Sequence, residues 1–167
     1  MKHYIEEQYF GAIIKWVLVS FIIGMNLVVL VGLVLDDSTH VFENILEWIV
    51  PPIVLLFILT IIFLTRLKTV YEVDAISYRL MPFEFKTKTI PKTEIQHMEI
   101  KQFKWYQYGG FGKRRKVYSK LISYVMHCGP MLEINLVNGK KRRFSIKHKN
   151  QLTRFLKEHY LEVFSKE

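Results

Sequence analysis

The chain has 167 residues, half of them hydrophobic, and a formal net charge of +9. That charge is unevenly divided: residues 1–65 carry two basic against six acidic side chains, a net of −4, while the remainder carries 22 against 9, a net of +13. A single cysteine, Cys128, excludes an intrachain disulfide framework, and about 100 residues beyond the apolar first third suffice for one compact domain.

At the start, Tyr4, Ile5, Tyr9 and Phe10 surround Glu6-Glu7-Gln8. This pattern suits an aromatic flank at a membrane interface, or a short amphipathic helix lying on one. Two apolar runs follow, Ala12–Leu35 and Ile45–Leu64, separated by Asp36-Asp37-Ser38-Thr39-His40. About 20 apolar residues at 1.5 Å each match a hydrocarbon core of roughly 30 Å, so both runs are expected to span a bilayer, over about 12–35 and 45–65. The first is longer than a signal-peptide core and has no small-x-small exit, and it is read as a retained anchor. Lys15 lies one turn inside it, where an ammonium snorkels to the headgroups beside Trp16. Ser20, Gly24 and Asn26 suit packing against the second span. Pro51-Pro52 sit near the start of that span if it begins near Glu47, and kink it if it begins near Val41. The connector over 36–47 has no Lys or Arg, whereas Lys2, Lys15, Arg66 and Lys68 mark the other flank. By the positive-inside rule both chain termini are expected to be cytoplasmic.

From Lys68 the period becomes two. Residues 69–73 and 76–80 are β-branched and aromatic and read as a hairpin turning at Asp74-Ala75, and Pro82 interrupts pairing. Further strands are expected over 85–90, 95–103, 117–126, 131–137 and 141–146, with a loop over 106–112. Asn138-Gly139 is the clearest hairpin signal, since both residues tolerate the positive φ of a type I′ turn. Leu152, Phe155, Leu156 and Tyr160 then fall on one stripe of a terminal amphipathic helix, with Asn150 as its expected cap. The division predicted is an N-terminal flank and hairpin over 1–66 and a β-rich domain over 67–167, a small curved sheet or sandwich plugged by the helix.

Three passages carry a resemblance: the strand through Ile76-Ser77-Tyr78-Arg79 into Pro82-Phe83, the loop Tyr108-Gly109-Gly110-Phe111-Gly112-Lys113-Arg114, and the hairpin Leu132-Glu133-Ile134-Asn135-Leu136-Val137-Asn138-Gly139-Lys140 before the final helix. With Glu7-Gln8-Tyr9-Phe10 ahead of the first span, the order of parts resembles bacterial membrane proteins with two transmembrane helices followed by a pleckstrin-homology-like domain. The resemblance implies a curved sheet or barrel of about seven strands with a C-terminal amphipathic helix. It also implies a location in the bacterial inner membrane and a binding or scaffolding role.

The residues singled out for binding form two clusters. Trp105, Tyr108 and Phe111 precede Lys113-Arg114-Arg115-Lys116, and interfacial aromatics beside cations suit a membrane surface. Lys140-Lys141-Arg142-Arg143 forms a second basic block after the Asn138-Gly139 turn. The glycine cluster lacks the Gly-Lys-Ser/Thr ending of a P-loop and reads as a tight turn. His97, His127, His148 and His159 are not at ligand spacing, and no nucleophile–base set or paired carboxylate is evident. The expectation is therefore a non-enzymatic protein with no cofactor, no metal and no nucleic-acid partner, whose basic domain binds a protein or a second copy of itself at the membrane. The alternatives are a domain responsive to anionic lipid headgroups, or an accessory subunit of a larger membrane transporter or enzyme complex.

Overall fold

The computed structural model describes residues 3–35, 45–102, 111–116 and 118–165, and divides the chain into a helical unit, Phe10–Thr65, and a β unit, Met1–Tyr9 with Arg66–Glu167. The connector after residue 35 lies outside the described residues.

The helical unit is a pair of helices, α1 (Ala12–Leu35) and α2 (Ile45–Leu64). Within α1, Lys15–Gly32 has a mean hydropathy of 2.0 and is long and apolar enough to cross a membrane. The described apolar run of α2, Ile49–Leu64, is shorter. Lys15 Nζ lies 4.9 Å from the centre of the Phe63 ring, so the start of α1 meets the end of α2 and the pair is antiparallel. Asn26 donates to the Ile22 carbonyl of its own helix at 2.7 Å, which satisfies part of its amide inside an apolar segment. Ser20 and Gly24 are exposed, and a Cβ at Gly24 would meet nothing within 4 Å. The expected close packing of these small residues on the second helix is therefore not observed. With α2 starting at Ile45, Pro51 and Pro52 fall in its second turn, inside the helix.

Among its described residues the β unit has ten strands in two sheets, more than the about seven expected, and no barrel closes among them. The first sheet is wholly antiparallel, in the order β1-β2-β3-β4, from β1 (His3–Tyr9), β2 (Arg66–Glu72), β3 (Ala75–Met81) and β4 (Lys88–Pro91). The N-terminal flank is thus neither an interfacial helix nor a belt segment. It pairs with β2 along its whole length, from His3 opposite Glu72 to Tyr9 opposite Arg66. Its period of two turns Tyr4, Glu6 and Gln8 inward and Ile5, Glu7 and Tyr9 outward, a polar inward face that hydrophobic patterning does not reveal. The boundary expected at residue 66 consequently moves, because the β unit begins at the N-terminus and is interrupted by the two helices.

The second sheet runs β10-β5-β8-β9-β7-β6. Its strands are β5 (Ile95–Gln102), β6 (Gly112–Lys116), β7 (Leu121–Val125), β8 (Pro130–Leu136), β9 (Lys141–Ser145) and the short β10 (Phe164–Ser165). The β8–β9 hairpin is antiparallel as expected, but β7 pairs with β9 in parallel, so the segment between β7 and β8 crosses the end of β9. The crossing is held by Met126 N–H donating to Ser145 Oγ at 3.1 Å and Ile146 N–H donating to the Pro130 carbonyl at 2.9 Å. The hairpin turn is not type I′. Gly139 alone takes a positive φ, of 74°, while Asn138 Oδ1 accepts the Lys140 N–H at 3.0 Å.

The core lies between the sheets. Leu67, Tyr71, Ile76, Tyr78 and Leu80 face Met98, Ile100, Tyr124, Leu132, Ile134 and Phe144, and the stripe Leu152, Phe155 and Leu156 of α3 (Lys149–His159) is buried with them. His148 is the N-cap of α3 and makes no side-chain cap bond, contrary to the cap expected from Asn150. A carboxylate from β1 does this work instead: Glu6 Oε1 accepts the N–H groups of Lys147 and His148. An acid at a helix N-terminus is favourable both as acceptor and against the helix dipole. Gln8 completes the latch, donating to the Ser145 carbonyl and accepting from the Ser145 hydroxyl.

These registers give the β unit two distinct ends. Tyr9, Arg66 and Met81 are neighbours in one row, at the end where the chain leaves for α1 and returns from α2. About 20 Å away along the strands, Glu72 and Asp74 mark the opposite end, where Lys92 N–H donates to the Asp74 carbonyl and Val137 N–H to the Glu94 carbonyl.

Candidate functional site

The two basic blocks predicted as binding residues come together on the second sheet, but not as a single lip. The first block forms β6, an edge strand that sequence reading left within or beyond a loop. In register, Lys116 pairs with Leu121 and Leu121 with Lys141, Arg115 with Ile122 and Ile122 with Arg142, and Arg114 with Ser123 and Ser123 with Arg143. Two cationic strands therefore flank β7, about 10 Å apart. Residues in one row share a face, so Arg114, Lys116, Lys141 and Arg143 lie on the sheet's outer face, while Arg115 and Arg142 lie on the other. The rows holding Lys116 and Lys141, with the turn carrying Lys140, belong to the end of the unit remote from Tyr9 and Arg66.

Not every one of these cations is available. Arg143 is bound to Glu133, a side chain only 3% exposed, and Lys141 lies 3.8 Å from the same carboxylate. Arg142 donates to the Lys141 carbonyl at 3.0 Å. Lys113 reaches back to Glu84 at 2.6 Å. Arg114, Arg115 and Lys140 are exposed, and so are the side chains of Lys116 and Lys141. Of the aromatics, Trp105 and Tyr108 lie outside the described residues. Phe111 is not an exposed lip: it is partly buried against Val125 and Met131.

No protein-family model matches the chain, and no match is found among curated proteins. The residues therefore have to carry the functional argument themselves. Among the described residues no group of three or more His, Cys, Asp or Glu side chains is placed to hold a metal ion, and Cys128 is exposed. Two surface cavities of the β unit are also present. One, of about 460 Å³, is lined by Gln96, His97, Asn135, Gly139, Lys140 and Lys141 and adjoins the basic end. The other, of about 480 Å³, lies between Tyr4 of β1 and Gln151, Arg154, Phe155 and Glu158 of α3.

The most elaborate side-chain cluster was not singled out from sequence. Glu84, on the loop between β3 and β4, is 8% exposed. Its Oε1 accepts from Lys88 and from Lys113 of β6, and from the Tyr124 hydroxyl at 3.3 Å. Its backbone is held too, with Glu84 N–H donating to the Leu80 carbonyl and Arg79 Nε to the Glu84 carbonyl at 3.1 Å. Burial pushes the Glu84 carboxyl up, but the hydrogen bonds and charges of Lys113 and Lys88 outweigh it and hold the group below its ordinary value of 4.5. Desolvation, with Tyr78 and Glu84 nearby, raises the Tyr124 phenol, so it stays a neutral donor. No local pattern marks this cluster, because Glu84 lies in an irregular loop outside any strand and its partners Lys113 and Tyr124 are 29 and 40 positions away.

A pH dependence follows. A carboxyl whose folded value is depressed adds stability above its unfolded value and loses it as pH falls through the folded value. Thermal melts of the detergent-solubilised chain are expected to show a loss of stability below pH 4.5 that is reduced in Glu84→Gln. At neutral pH Glu84→Ala is expected to cost about 1–2 kcal/mol, because both lysines are partly exposed and regain water. An unchanged acid limb in Glu84→Gln counts against this assignment.

Proposed function

We propose that the chain is a non-enzymatic integral membrane protein whose β unit is a pleckstrin-homology-like interaction module, anchored in the bacterial inner membrane by a two-helix hairpin with both termini cytoplasmic. The observation that carries this reading is the pairing of Tyr9 with Arg66. Residues 10–65 leave and re-enter one sheet between adjacent strands, so their two ends lie on one side of any bilayer they enter. An even number of crossings meets that condition, as two antiparallel apolar helices do. Two sheets and a C-terminal amphipathic helix with a buried apolar stripe support the pleckstrin-homology-like part of the reading; the parallel β7–β9 pair is its main departure from a simple up-and-down order.

The module binds an acidic surface on a protein partner through the part of the second sheet that carries Arg114, Arg115, Lys116, Lys140 and Lys141. Supporting this, strand pairing brings the two basic blocks to either side of β7, and the side chains of these five residues are exposed.

Crosslinking in intact membranes, followed by purification of the full-length chain in mild detergent, tests this. Arg114→Glu with Lys140→Glu is expected to reduce recovery of the crosslinked partner by about tenfold, as two ion pairs of roughly 0.5–1 kcal/mol each become repulsive. Equal recovery from the double variant, or monomer alone from both chains, overturns the proposal.

A further inference from the structure

The loop between β3 and β4 reverses the usual arrangement of charge and hydrocarbon. Phe83 and Phe85 are 61% and 80% exposed, while Glu84 between them is turned in and held by Lys88, Lys113 and Tyr124. Three side-chain donors on the carboxylate, with the Glu84 N–H donating to the Leu80 carbonyl and Arg79 Nε donating to the Glu84 carbonyl, thus hold a carboxylate inside and two phenyl rings outside. In water alone the two rings leave large apolar surface exposed. At a bilayer interface that cost becomes a gain.

The place of the loop in the fold points the same way. Met81, immediately before it, pairs with Arg66, and Arg66 follows the last residue of α2, Leu64, by two positions. Phe83 thus lies at the end of the β unit where the chain returns from α2. Lys86 is exposed on the same loop, which suits an anionic headgroup beside the inserted rings.

We propose that Phe83 and Phe85 form an interfacial wedge that inserts into the anionic bilayer surface beside the anchor, giving the β unit a second attachment and restricting its swing about the hairpin. Glu84 acts as the strut that keeps the rings turned out. The inference rests on the anchor reading above, and its test separates the two. The full-length chain, carrying Cys128→Ser, is reconstituted into vesicles of phosphatidylcholine and phosphatidylglycerol with an environment-sensitive fluorophore on a single introduced cysteine. The sites are Phe85→Cys, Val28→Cys in α1, and Val137→Cys at the opposite end of the β unit. All three positions are exposed in the protein, so labelling does not disturb packing.

The Phe85 probe is expected to emit to the blue of the Val137 probe and to be quenched by nitroxide placed high on the lipid acyl chain, with the Val137 probe quenched instead by aqueous iodide. A probe on Lys86→Cys is expected to lose its lipid quenching when Phe83 and Phe85 are both replaced by serine. If the Val28 probe is quenched by lipid while the Phe85 probe responds to iodide like Val137, the wedge is refuted and the anchor stands. If the Val28 probe is not quenched by lipid, the anchor reading fails and the wedge fails with it.

Discussion

Replacing residues 10–65 with an Asn-Gly turn is expected to yield a water-soluble β unit that melts cooperatively, whereas a fragment that begins at Arg66 is expected not to fold. The first part follows from register. Tyr9 and Arg66 are opposite one another in an antiparallel pair, which is the separation a two-residue hairpin turn bridges, and Asn-Gly tolerates the backbone such a turn demands. The second part follows from what β1 holds in place. Without it β2 becomes an edge strand, and the N–H groups of Lys147 and His148 lose Glu6 at the start of α3. The Ser145 carbonyl and hydroxyl lose Gln8. Tyr4 no longer covers the rings of Tyr71 and Phe155, whose centres lie 5.8 and 6.3 Å from its own. Each unsatisfied buried polar group costs about 1–3 kcal/mol, and several together equal the roughly 5–15 kcal/mol by which a small domain is stable. Circular dichroism and urea titration of the two proteins decide the matter. A cooperative transition in the fragment lacking β1 would show that the strand is dispensable.

Phe144→Ala is expected to cost about 3–5 kcal/mol, the range for emptying a buried phenyl site. Phe144 is fully buried on β9 and touches both sheets. Its ring lies 4.9 Å from that of Tyr78 on β3 and stacks at 5.4 Å, with planes 9° apart, on Tyr124 of β7. Tyr78 and Tyr124 are themselves 5.2 Å apart, so the three rings form a closed set across the sheet interface. Aromatic pairs add about 0.5–1.5 kcal/mol to simple burial, which places this site towards the upper part of the range. Phe144→Leu, which keeps most of the volume, is expected to cost about 1–2 kcal/mol. Urea unfolding of the turn-linked β unit measures both, and a loss below about 1 kcal/mol for Phe144→Ala would remove the ring set from its place at the centre of the core.

Much of the secondary structure was legible from local pattern. The apolar runs became α1 and α2 at the expected bounds, the strands around Asp74 and Asn138 paired as hairpins, and the stripe Leu152, Phe155, Leu156 became the buried face of α3. Where reading failed, the cause was non-local. The run 117–126 shortens to β7 because Lys120, at φ 48°, turns the chain just before it. The residues of β6 give no strand signal because an edge strand with solvated side chains leaves no hydrophobic alternation. The first nine residues read as a membrane flank because their inward face, Tyr4, Glu6 and Gln8, is largely polar, and its partners Ser145, Lys147 and His148 lie more than 130 positions away.

The same division holds for the binding residues. Composition alone located the positive charge in the region after residue 65, because charge adds without regard to fold. Which cations remain exposed was decided by the tertiary structure, through the carboxylates it brings to them: Glu133 to Arg143 and Lys141, Glu84 to Lys113. By itself the sequence determined that the chain holds an apolar helix pair and a basic β-rich region, since both follow from the period and length of apolar runs. That the helix pair is an insertion between two neighbouring strands, and that the two basic blocks flank β7, was decided only by strand pairing. Register relates residues far apart in the chain, and no local pattern specifies it.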